Sequence, residues 1–406
     1  MKKLVMILLI ITIQTSFAQW EPCNNGLDIQ NIFALLSKGN SLFLATSEGI
    51  FLSANNGDLW IEKNLGLKDK YTLSLCVHGN NIFAGSDSSI YLSTNNGDSW
   101  DEIYLSSNYN SVIAFTAKDN YVFASTAHEG IILTTDNGKS WQVRDYGLPK
   151  RQINSIIFKD NYLFAATRGS GVYFSSDFGN NWIEKNNGIV NKFINALCVV
   201  GNDIYIGTSH GIYISTDNGN NWFPHNDGIT DFGLCIYSFY YVNDIIFTGT
   251  LDGVFLSTDK GLNWIQKNSG LPTTSYQIHP FAYNGNYLFG GTWCKGVYRV
   301  KPDELLTSID NSLLTDSNIY LSPNPASDYI EIDFEKNSRR QTVDGRLERE
   351  IRIYNMLGEC VTNLTPALSE GEGVIKIDVS YLPYGVYTIV IQNKKRIIYE
   401  KFLVIK

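Results

Sequence analysis

Two short motifs in the sequence match catalytic signatures by their letters. Residues 207–211 (GTSHG) have the G-x-S-x-G spacing, in which a nucleophilic serine sits on a sharp turn between a strand and a helix. Residues 138–140 (GKS) match the end of a phosphate-binding loop, but Leu133 occupies the position of its first glycine. Because strand-like segments flank Ser209 on both sides, we interpret its motif as a hairpin turn that matches by chance.

The histidines indicate no metal chemistry. His78, His128, His210, His225 and His279 show no spacing typical of metal ligands, and H-E-x-x-H does not occur. We therefore expect no catalytic residues, no metal and no cofactor, and we ask next what elements hold the remaining polar residues.

A repeat of about 40 residues organises most of the chain. Six tryptophans mark it at spacings of 40, 41, 41, 40 and 42 residues: Trp60, Trp100, Trp141, Trp182, Trp222 and Trp264. Each tryptophan ends a motif S/T-x-D-x-G-x-x-W, which we call the tryptophan box. Its aspartates are Asp136, Asp177, Asp217 and Asp259, with Asn55 and Asn95 in the first two copies. A fixed period of this length indicates a repeat architecture.

Each repeat contains four short strand patterns. In the fifth repeat these are residues 194–200, 203–208, 211–216 and 222–225, separated by Gly, Asn and Asp. Four strands in about 40 residues are typical of a propeller blade. The box then falls between the third and fourth strands, where its aspartate can accept backbone hydrogen bonds and its glycine supplies conformational freedom.

A seventh repeat is divided between the two ends of the propeller. Residues 285–300 have the pattern of two inner strands, but no box follows them. The segment from Trp20 to Leu27 repeats the W-x-x-x-N-x-G-L pattern that follows Trp60, 40 residues earlier in the chain. We therefore predict an all-β, seven-bladed β-propeller over 19–300, whose last blade is completed by residues near Trp20, the residue expected to close the ring.

The boxes resemble the Asp-box (BNR) repeat of sialidases, sortilin-like receptors and photosystem II assembly factors. In that family the box lies at an outer corner of the blade, away from the ligand face, so the resemblance implies a structural role for the aspartates and tryptophans of the box. A sialidase site would also need three converging arginines and a Tyr–Glu pair. The propeller contains only Arg144, Arg151, Arg168 and Arg299, none near its start, and we expect no such convergence.

Propeller geometry places a candidate ligand face at the turns between second and third strands. Those turns are expected to hold Glu48, Asp87, Glu129, Arg168, His210, Asp252 and Lys295. These side chains share no chemistry, which favours a protein-recognition or passive face over a reactive pocket. Trp293 lies beside this ring and can either stack on a sugar, anchor a partner, or pack internally.

Residues 318–406 form a second domain after a polar linker at 301–317. The opening PNPA at 323–326, the strand IRIYNMLGECV at 351–361 and LPYGVYTIVI at 382–391 resemble the type A C-terminal sorting domain of the type IX secretion system of Bacteroidetes. The resemblance implies a small β-sandwich that engages the type IX secretion machinery. The polar stretch 336–350 departs from the family pattern and is interpreted as a mobile insertion; an ordinary binding sandwich is the alternative.

The first 18 residues have the pattern of a signal peptide. Lys2 and Lys3 precede a ten-residue apolar segment, and small residues end at Ala18. The apolar segment is shorter than the ~20 residues of a membrane span, so we expect no transmembrane segment. The predicted location is secreted, or attached to the outer membrane at the cell surface.

Charge separates the two domains. Residues 318–406 contain 12 basic and 12 acidic residues, whereas residues 19–317 contain 18 basic and 28 acidic residues. A propeller with this negative balance is not expected to bind nucleic acid, which requires a basic surface.

The cysteines leave one question open. Cys76, Cys198 and Cys235 fall in innermost-strand patterns and are interpreted as small buried hydrophobic residues. Cys23 and Cys294 both belong to the composite seventh blade, where a disulfide would join the chain ends. The expected distance between the outer strand and the hairpin turn argues against that bridge.

The sequence predicts a non-catalytic extracellular propeller that binds a protein or glycan. The alternative is an extracellular glycoside hydrolase that uses carboxylates of the turn ring, such as Glu48, Glu129 and Asp252.

Overall fold

A computed structural model gives the arrangement of these elements. It describes residues 19–28, 31–106, 110–272, 277–307, 319–322, 326–334, 350–354, 360–364, 374–383, 385–393 and 396–404. The predicted signal peptide at 1–18 and the predicted insertion at 336–350, except for its last residue, lie outside the described residues. The chain divides into two compact units, at 1–308 and 309–406.

The first unit is a ring of seven four-stranded antiparallel sheets, which confirms the predicted all-β propeller. The chain enters it with β1 (Glu21–Pro22). Blades 1 and 2 comprise β2 (Ile32–Lys38), β3 (Ser41–Thr46), β4 (Gly49–Ser53), β5 (Ile61–Glu62), β6 (Thr72–His78), β7 (Asn81–Ser86), β8 (Ser89–Ser93) and β9 (Asp101–Leu105). Blades 3 and 4 comprise β10 (Val112–Lys118), β11 (Tyr121–Thr126), β12 (Ile131–Thr134), β13 (Gln142–Val143), β14 (Ile153–Lys159), β15 (Tyr162–Thr167), β16 (Gly171–Ser175) and β17 (Ile183–Glu184).

The remaining blades follow the same order. Blade 5 comprises β18 (Ile194–Val200), β19 (Asp203–Thr208), β20 (Gly211–Ser215) and β21 (Phe223–Pro224), and a 3-10 helix (Phe232–Leu234) follows it. Blade 6 comprises β22 (Ile236–Val242), β23 (Ile245–Thr250), β24 (Gly253–Ser257) and β25 (Ile265–Gln266), and blade 7 contains β26 (Ile278–Tyr283), β27 (Leu288–Thr292) and β28 (Val297–Val300). The first part of the predicted linker is a helix, α1 (Pro302–Thr307), because Leu305 is buried in the same apolar cluster as Trp20.

Burial explains the composition of the strands. The second strands, such as β3 and β7, are buried along almost their whole length, because neighbouring blades cover both faces of each sheet. Short apolar runs with no alternation are the expected pattern for such strands. The innermost strands are half-buried after their first residue, as expected for strands that border the centre of the ring.

The tryptophan boxes form hydrogen-bonded turns. In blade 5 the Asn221 N–H donates to Asp217 Oδ1 at 2.9 Å, and the Gly219 N–H donates to Ser215 Oγ at 2.8 Å. Asn218 adopts a positive φ of 59°, which asparagine tolerates better than most residues. In the first copy the amide oxygen of Asn55 replaces the carboxylate and accepts the Leu59 N–H at 3.0 Å.

Five of the six box tryptophans form hydrogen bonds with the blade that precedes them. The Trp222 indole N–H donates to the Lys185 carbonyl at 2.9 Å, and its backbone N–H donates to the Asn187 carbonyl at 2.9 Å. The same pair of contacts recurs at Trp60, Trp100, Trp182 and Trp264. Gly188 must be glycine here, because a Cβ atom would lie 2.2 Å from the Trp222 carbonyl oxygen.

Trp20 closes the ring with these same contacts. Its indole N–H donates to the Lys267 carbonyl at 2.9 Å, its backbone N–H donates to the Ser269 carbonyl at 2.8 Å, and its side chain is 1% exposed. The strand β1 that follows pairs with β28 as the fourth strand of blade 7. Blade 7 therefore combines both ends of the propeller segment and leaves no open sheet edge there.

Trp141 departs from the pattern. Its indole nitrogen is buried and has no hydrogen-bond partner within the described ranges. The outer strand of the preceding blade, β9, has five residues instead of two, and residues 101–110 lack the N-x-G or D-x-G motif that follows the other tryptophans. Tyr104 of β9 packs edge-on against the Trp141 ring at 5.9 Å in place of the usual carbonyl contact.

The second unit is a β-sandwich in the described ranges. One sheet contains β29 (Ile319–Ser322), β30 (Tyr329–Phe334) and β33 (Val374–Asp378); the other contains β31 (Glu350–Tyr354), β32 (Cys360–Leu364), β34 (Gly385–Asn393) and β35 (Arg396–Val404). Ile330 and Ile377 of the first sheet share a buried core with Ile351, Ile353 and Ile389 of the second. The strand β29 precedes the PNPA motif, and β32 shares only its first two residues with the motif at 351–361; the sequence predicts a strand at neither position.

Replacing Trp20 with alanine should destabilise the propeller by about 3–5 kcal/mol, because it removes a fully buried indole and its hydrogen bond. Trp141→Ala is the matched control and should cost less, since that indole N–H already lacks a partner in the structure. Urea denaturation of both variants measures the difference. A loss below about 0.5 kcal/mol for Trp20→Ala, within the range of an ordinary surface substitution, would contradict closure at this residue.

Acid should weaken the tryptophan boxes. Hydrogen bonds from Ser140 lower the pKa of Asp136 to about 2, and hydrogen bonds from Asn181 and Asn221 also lower the pKa values of Asp177 and Asp217. A carboxylate whose pKa is lower when folded stabilises the protein above its unfolded-state pKa of about 3.9, and this contribution is lost as the pH falls through the folded-state value. Stability to urea should therefore decline between about pH 4 and pH 2.

The Asp136→Asn, Asp177→Asn, Asp217→Asn triple variant is the control, because blades 1 and 2 already use asparagine at this position. Its stability should decline less steeply over the same pH range. Equal slopes for the two proteins would show that these carboxylates do not contribute to the acid response.

Candidate functional site

The turns of each blade lie at two opposite faces of the ring. Boxes and the turns that join first to second strands share one face, since successive turns of a meander alternate between the ends of its strands. The turns between second and third strands share the other, which we call the turn face, with the connections between blades. On the turn face, backbone hydrogen bonds join the turns between second and third strands to the connections between blades. The backbone N–H groups of three turn residues donate to carbonyls in these connections: Arg168 to Gln152, Ser209 to Phe193 and Trp293 to Gln277.

A β-bulge occurs where every innermost strand leaves the turn face. The pairing register shifts after the first residue of each of these strands, so the second residue has no partner in the ladder. The unpaired residues are Phe33, Leu73, Ile113, Asn154, Asn195, Tyr237 and, in blade 7, both His279 and Pro280. They lie at the turn-face ends of the innermost strands, which border the central channel of a propeller, so they surround the mouth of that channel. Bulges re-aim side chains and recur beside binding sites.

Five rings from four blades form a continuous group at this mouth, which we call the aromatic arc. Tyr71 contacts Phe33 at a centroid distance of 5.1 Å, and Phe33 contacts Trp293 at 5.6 Å. His279 lies between Trp293, at 5.4 Å, and Tyr237, on which it stacks at 4.3 Å. Trp293 and Tyr71 are 41% and 40% exposed, so the arc is partly open to solvent.

The arc carries no charge at neutral pH. Burial lowers the pKa of His279 to about 4, so its imidazole is neutral between Tyr237 and Trp293. Its Nε2 atom is buried and has no hydrogen-bond partner in the part of the chain that the structure describes. Burial also raises the pKa of Tyr237, whose phenol therefore stays protonated.

The polar residues that the sequence placed on the turn face do lie in these turns, and five of them have local side-chain partners. Their partners are as follows: Asp87 accepts from Ser111 at 2.6 Å, Glu129 from Tyr104 at 3.1 Å, and Asp252 from Thr230 at 2.6 Å; Arg168 donates to Gln152 at 3.4 Å, and His210 contacts Asn191 at 2.8 Å. Glu48 lies in the turn of blade 1 and Lys295 in that of blade 7. The side chains with known partners are bound to their own or an adjacent blade.

The arginines do not form a clamp. Arg299 pairs with Asp58 at 2.6 Å and donates to the carbonyl of Asn56, both in the box of blade 1. Arg144 follows the box tryptophan of blade 3 and donates to Gln142 at 2.8 Å. Arg168 lies on the turn face, so the three do not converge on one point as carboxylate recognition requires.

Two further sequence features have structural explanations. Ser209 lies in the two-residue turn between β19 and β20, with no helix after it, so the G-x-S-x-G match is a hairpin turn.

Cys23 and Cys294 are both free thiols, so the bridge left open by the sequence is not formed. The Cys23 thiol instead donates to the Val297 carbonyl at 3.6 Å, and burial raises its pKa to about 12.

A cavity of about 550 Å³ lies on the box face, between α1 and the first turn of blade 7. Several of its lining side chains contact other protein groups. The Tyr283 hydroxyl donates to the Gly285 carbonyl, Lys301 pairs with Glu304, and the Tyr287 ring lies under Arg299. The aromatic arc, with two exposed rings, is the stronger candidate.

The fold and its second unit define the class of protein: a seven-bladed β-propeller joined to a C-terminal sorting domain of the type IX secretion system, and hence a secreted or cell-surface protein. Residues 29–230 match the DUF6242 beta propeller domain, and residues 318–406 match the secretion system C-terminal sorting domain. No curated protein sequence matches the chain significantly.

Solved structures share the fold at low sequence identity. PorZ, an essential bacterial surface component of the type IX secretion system of Porphyromonas gingivalis, has 14% identity and a TM-score of 0.52 over 94% of this chain and 60% of its own. YCF48 bound to D1 peptide has 17% identity and a TM-score of 0.53, covering 68% of this chain and 98% of its own. The GH74 enzyme of Niastella koreensis has 16% identity and a TM-score of 0.53, covering 68% and 43%.

This chain thus spans about 60% of the length of PorZ and 43% of that of the GH74 enzyme. Helices long and apolar enough to cross a membrane are not found among the described residues. The described part of the chain also contains no group of three or more His, Cys, Asp or Glu side chains placed to hold a metal ion.

Proposed function

We propose that this protein is a non-catalytic binding propeller, exported to the cell surface, that recognises an extracellular protein or glycan through its turn face. The observation that carries the proposal is the aromatic arc, whose contacts join blades 6, 7, 1 and 2 at the mouth of the channel. Partly exposed aromatic rings on a rigid scaffold are the side chains that most often dominate binding energy at interfaces.

The arc is preorganised for binding. Phe33, Tyr237 and His279 stand on innermost strands, and the backbone N–H of Trp293 donates to the Gln277 carbonyl at 3.2 Å, which holds the turn that carries this side chain. A site whose side chains are already positioned loses less conformational entropy when a ligand binds. The tryptophan boxes support the arc indirectly, because they hold together the blades that carry its rings. Their hydrogen bonds also favour the classification of this propeller among Asp-box repeats.

The arrangement of carboxylates favours binding over glycoside hydrolysis. A hydrolase needs two carboxyl groups about 5–9.5 Å apart on either side of the scissile bond. Glu48, Glu129 and Asp252 lie in the turns of blades 1, 3 and 6, which are not adjacent, and Glu129 and Asp252 accept hydrogen bonds from neighbouring side chains.

Deleting residues 318–406 should retain the propeller in the periplasm, because the sorting domain is the part that the type IX machinery recognises. Cell fractionation of the deleted and full chains measures this outcome, and the full chain with Trp293→Ala should still reach the surface. Surface exposure of the deleted chain would contradict the role of this domain in export.

Trp293→Ala should reduce binding of the full chain to extracellular ligands by at least about tenfold, the effect typical of a central aromatic anchor. Glycan and surface-protein arrays probed with wild type and variant measure it, with Tyr146→Ala as a control, because Tyr146 is 75% exposed outside the arc. Ligands bound equally by wild type and Trp293→Ala would refute the turn-face site.

The same ligands should remain chemically unchanged after incubation with the protein. Turnover of a glycoside, lost in Glu48→Gln, Glu129→Gln or Asp252→Asn variants, would replace the binding function with the hydrolase alternative.

A further inference from the structure

We infer that the ligand of the aromatic arc is an uncharged oligosaccharide whose sugar rings stack on the two exposed rings of the arc, Trp293 and Tyr71. This inference rests on the proposed function, since it uses the same face, and it specifies the chemistry of the partner. It depends on three observations: the exposure of these two rings, the lack of charge in the arc, and the amide groups that continue the ring of bulges.

Two rings of the arc are open to a chain of linked sugar rings. Trp293 and Tyr71 are 41% and 40% exposed. Both contact Phe33, whose ring centroid is 5.6 Å from that of Trp293 and 5.1 Å from that of Tyr71. A pyranose ring in an oligosaccharide is about the size of one aromatic ring, and its C–H face can pack on the flat face of Trp or Tyr. The other rings support this pair: His279 lies between Trp293 and Tyr237.

The charge of the arc matches a neutral ligand. His279 is its only member that titrates near physiological pH, and burial keeps it neutral. The neighbouring bulge positions, Leu73 and Ile113, carry no charge either. The arc and these bulge positions hold no cation for a polyanion; Lys295 shares the turn of Trp293. The propeller segment as a whole has ten more acidic than basic residues between 19 and 317, which disfavours a polyanion.

The polar side of the bulge ring offers amides to hydroxyl groups. Asn154 and Asn195 donate through their Nδ2 atoms to the carbonyls of Ile194 and Ile236, both at 2.9 Å, which fixes their orientation. The Oδ1 atom of Asn195 has no hydrogen-bond partner in the described ranges, and Asn195 is partly exposed. A fixed amide oxygen beside stacked rings can accept a hydrogen bond from a sugar hydroxyl.

The full chain is tested against neutral polysaccharides (β-glucan, xylan, mannan and dextran) and an acidic one, polygalacturonate, by affinity electrophoresis and calorimetry. At least one neutral polysaccharide should bind, polygalacturonate should not, and the affinity should change little between about 0.05 and 0.5 M salt, because no ion pair contributes.

Three variants locate that binding. Trp293→Ala should weaken it by at least about tenfold, Trp293→Phe should retain most of it because a flat ring remains, and Tyr146→Ala should leave it unchanged. Thermal unfolding of each variant separates loss of a contact from loss of the fold.

The remaining outcomes overturn either this inference or the proposed function. If no neutral polysaccharide binds, or if binding is salt-sensitive and selects polygalacturonate, the ligand class is wrong. If a protein on the array binds and Trp293→Ala abolishes that binding, the turn-face function stands and the glycan inference fails. If glycan binding is unaffected by Trp293→Ala, the site itself is wrong and both proposals fail.

Discussion

The propeller depends on one recurring contact, the indole N–H of a box tryptophan donating to a carbonyl of the preceding blade. A buried indole both fills the space between two sheets and satisfies an outer-strand carbonyl that would otherwise lack a partner. Trp222 makes this contact between two successive blades, and Trp20 makes it where the two ends of the propeller segment meet. Trp141 lacks this contact, and its indole instead packs on Tyr104 of blade 2.

The two faces of the propeller differ in how far their side chains repeat from blade to blade. The box face repeats nearly the same residues in six blades, since each must form the same turn and the same contact. On the turn face the backbone repeats, including the bulge, while the bulged residue changes from Phe33 to Asn154 to His279. A constant backbone with variable side chains is the arrangement in which a scaffold can carry a specific surface.

Much of this fold can be predicted from short sequence patterns, whereas the aromatic arc cannot, because its contacts join residues that are far apart in the sequence. The 40-residue period, the boxes and the W-x-x-x-N-x-G segment that begins at Trp20 are enough to predict seven blades. Trp293 is a candidate from the sequence because it falls outside the register of the box tryptophans. Phe33, Tyr71 and Tyr237 were missed because each is an ordinary strand or loop residue in its own repeat. Phe33 meets Trp293 only when the ring closes. The helix α1 was missed because its six residues read as a polar linker.

The composite seventh blade also fixes the order in which the molecule can be completed. Its outer strand leaves the ribosome first and its inner strands last, and the Trp20–Lys267 contact spans 247 residues. Pairings at such separation form late and slowly, so six blades can assemble while β1 waits without a partner. During that interval β1 is unpaired and the aromatic arc is incomplete, so the arc forms only at the final step of folding.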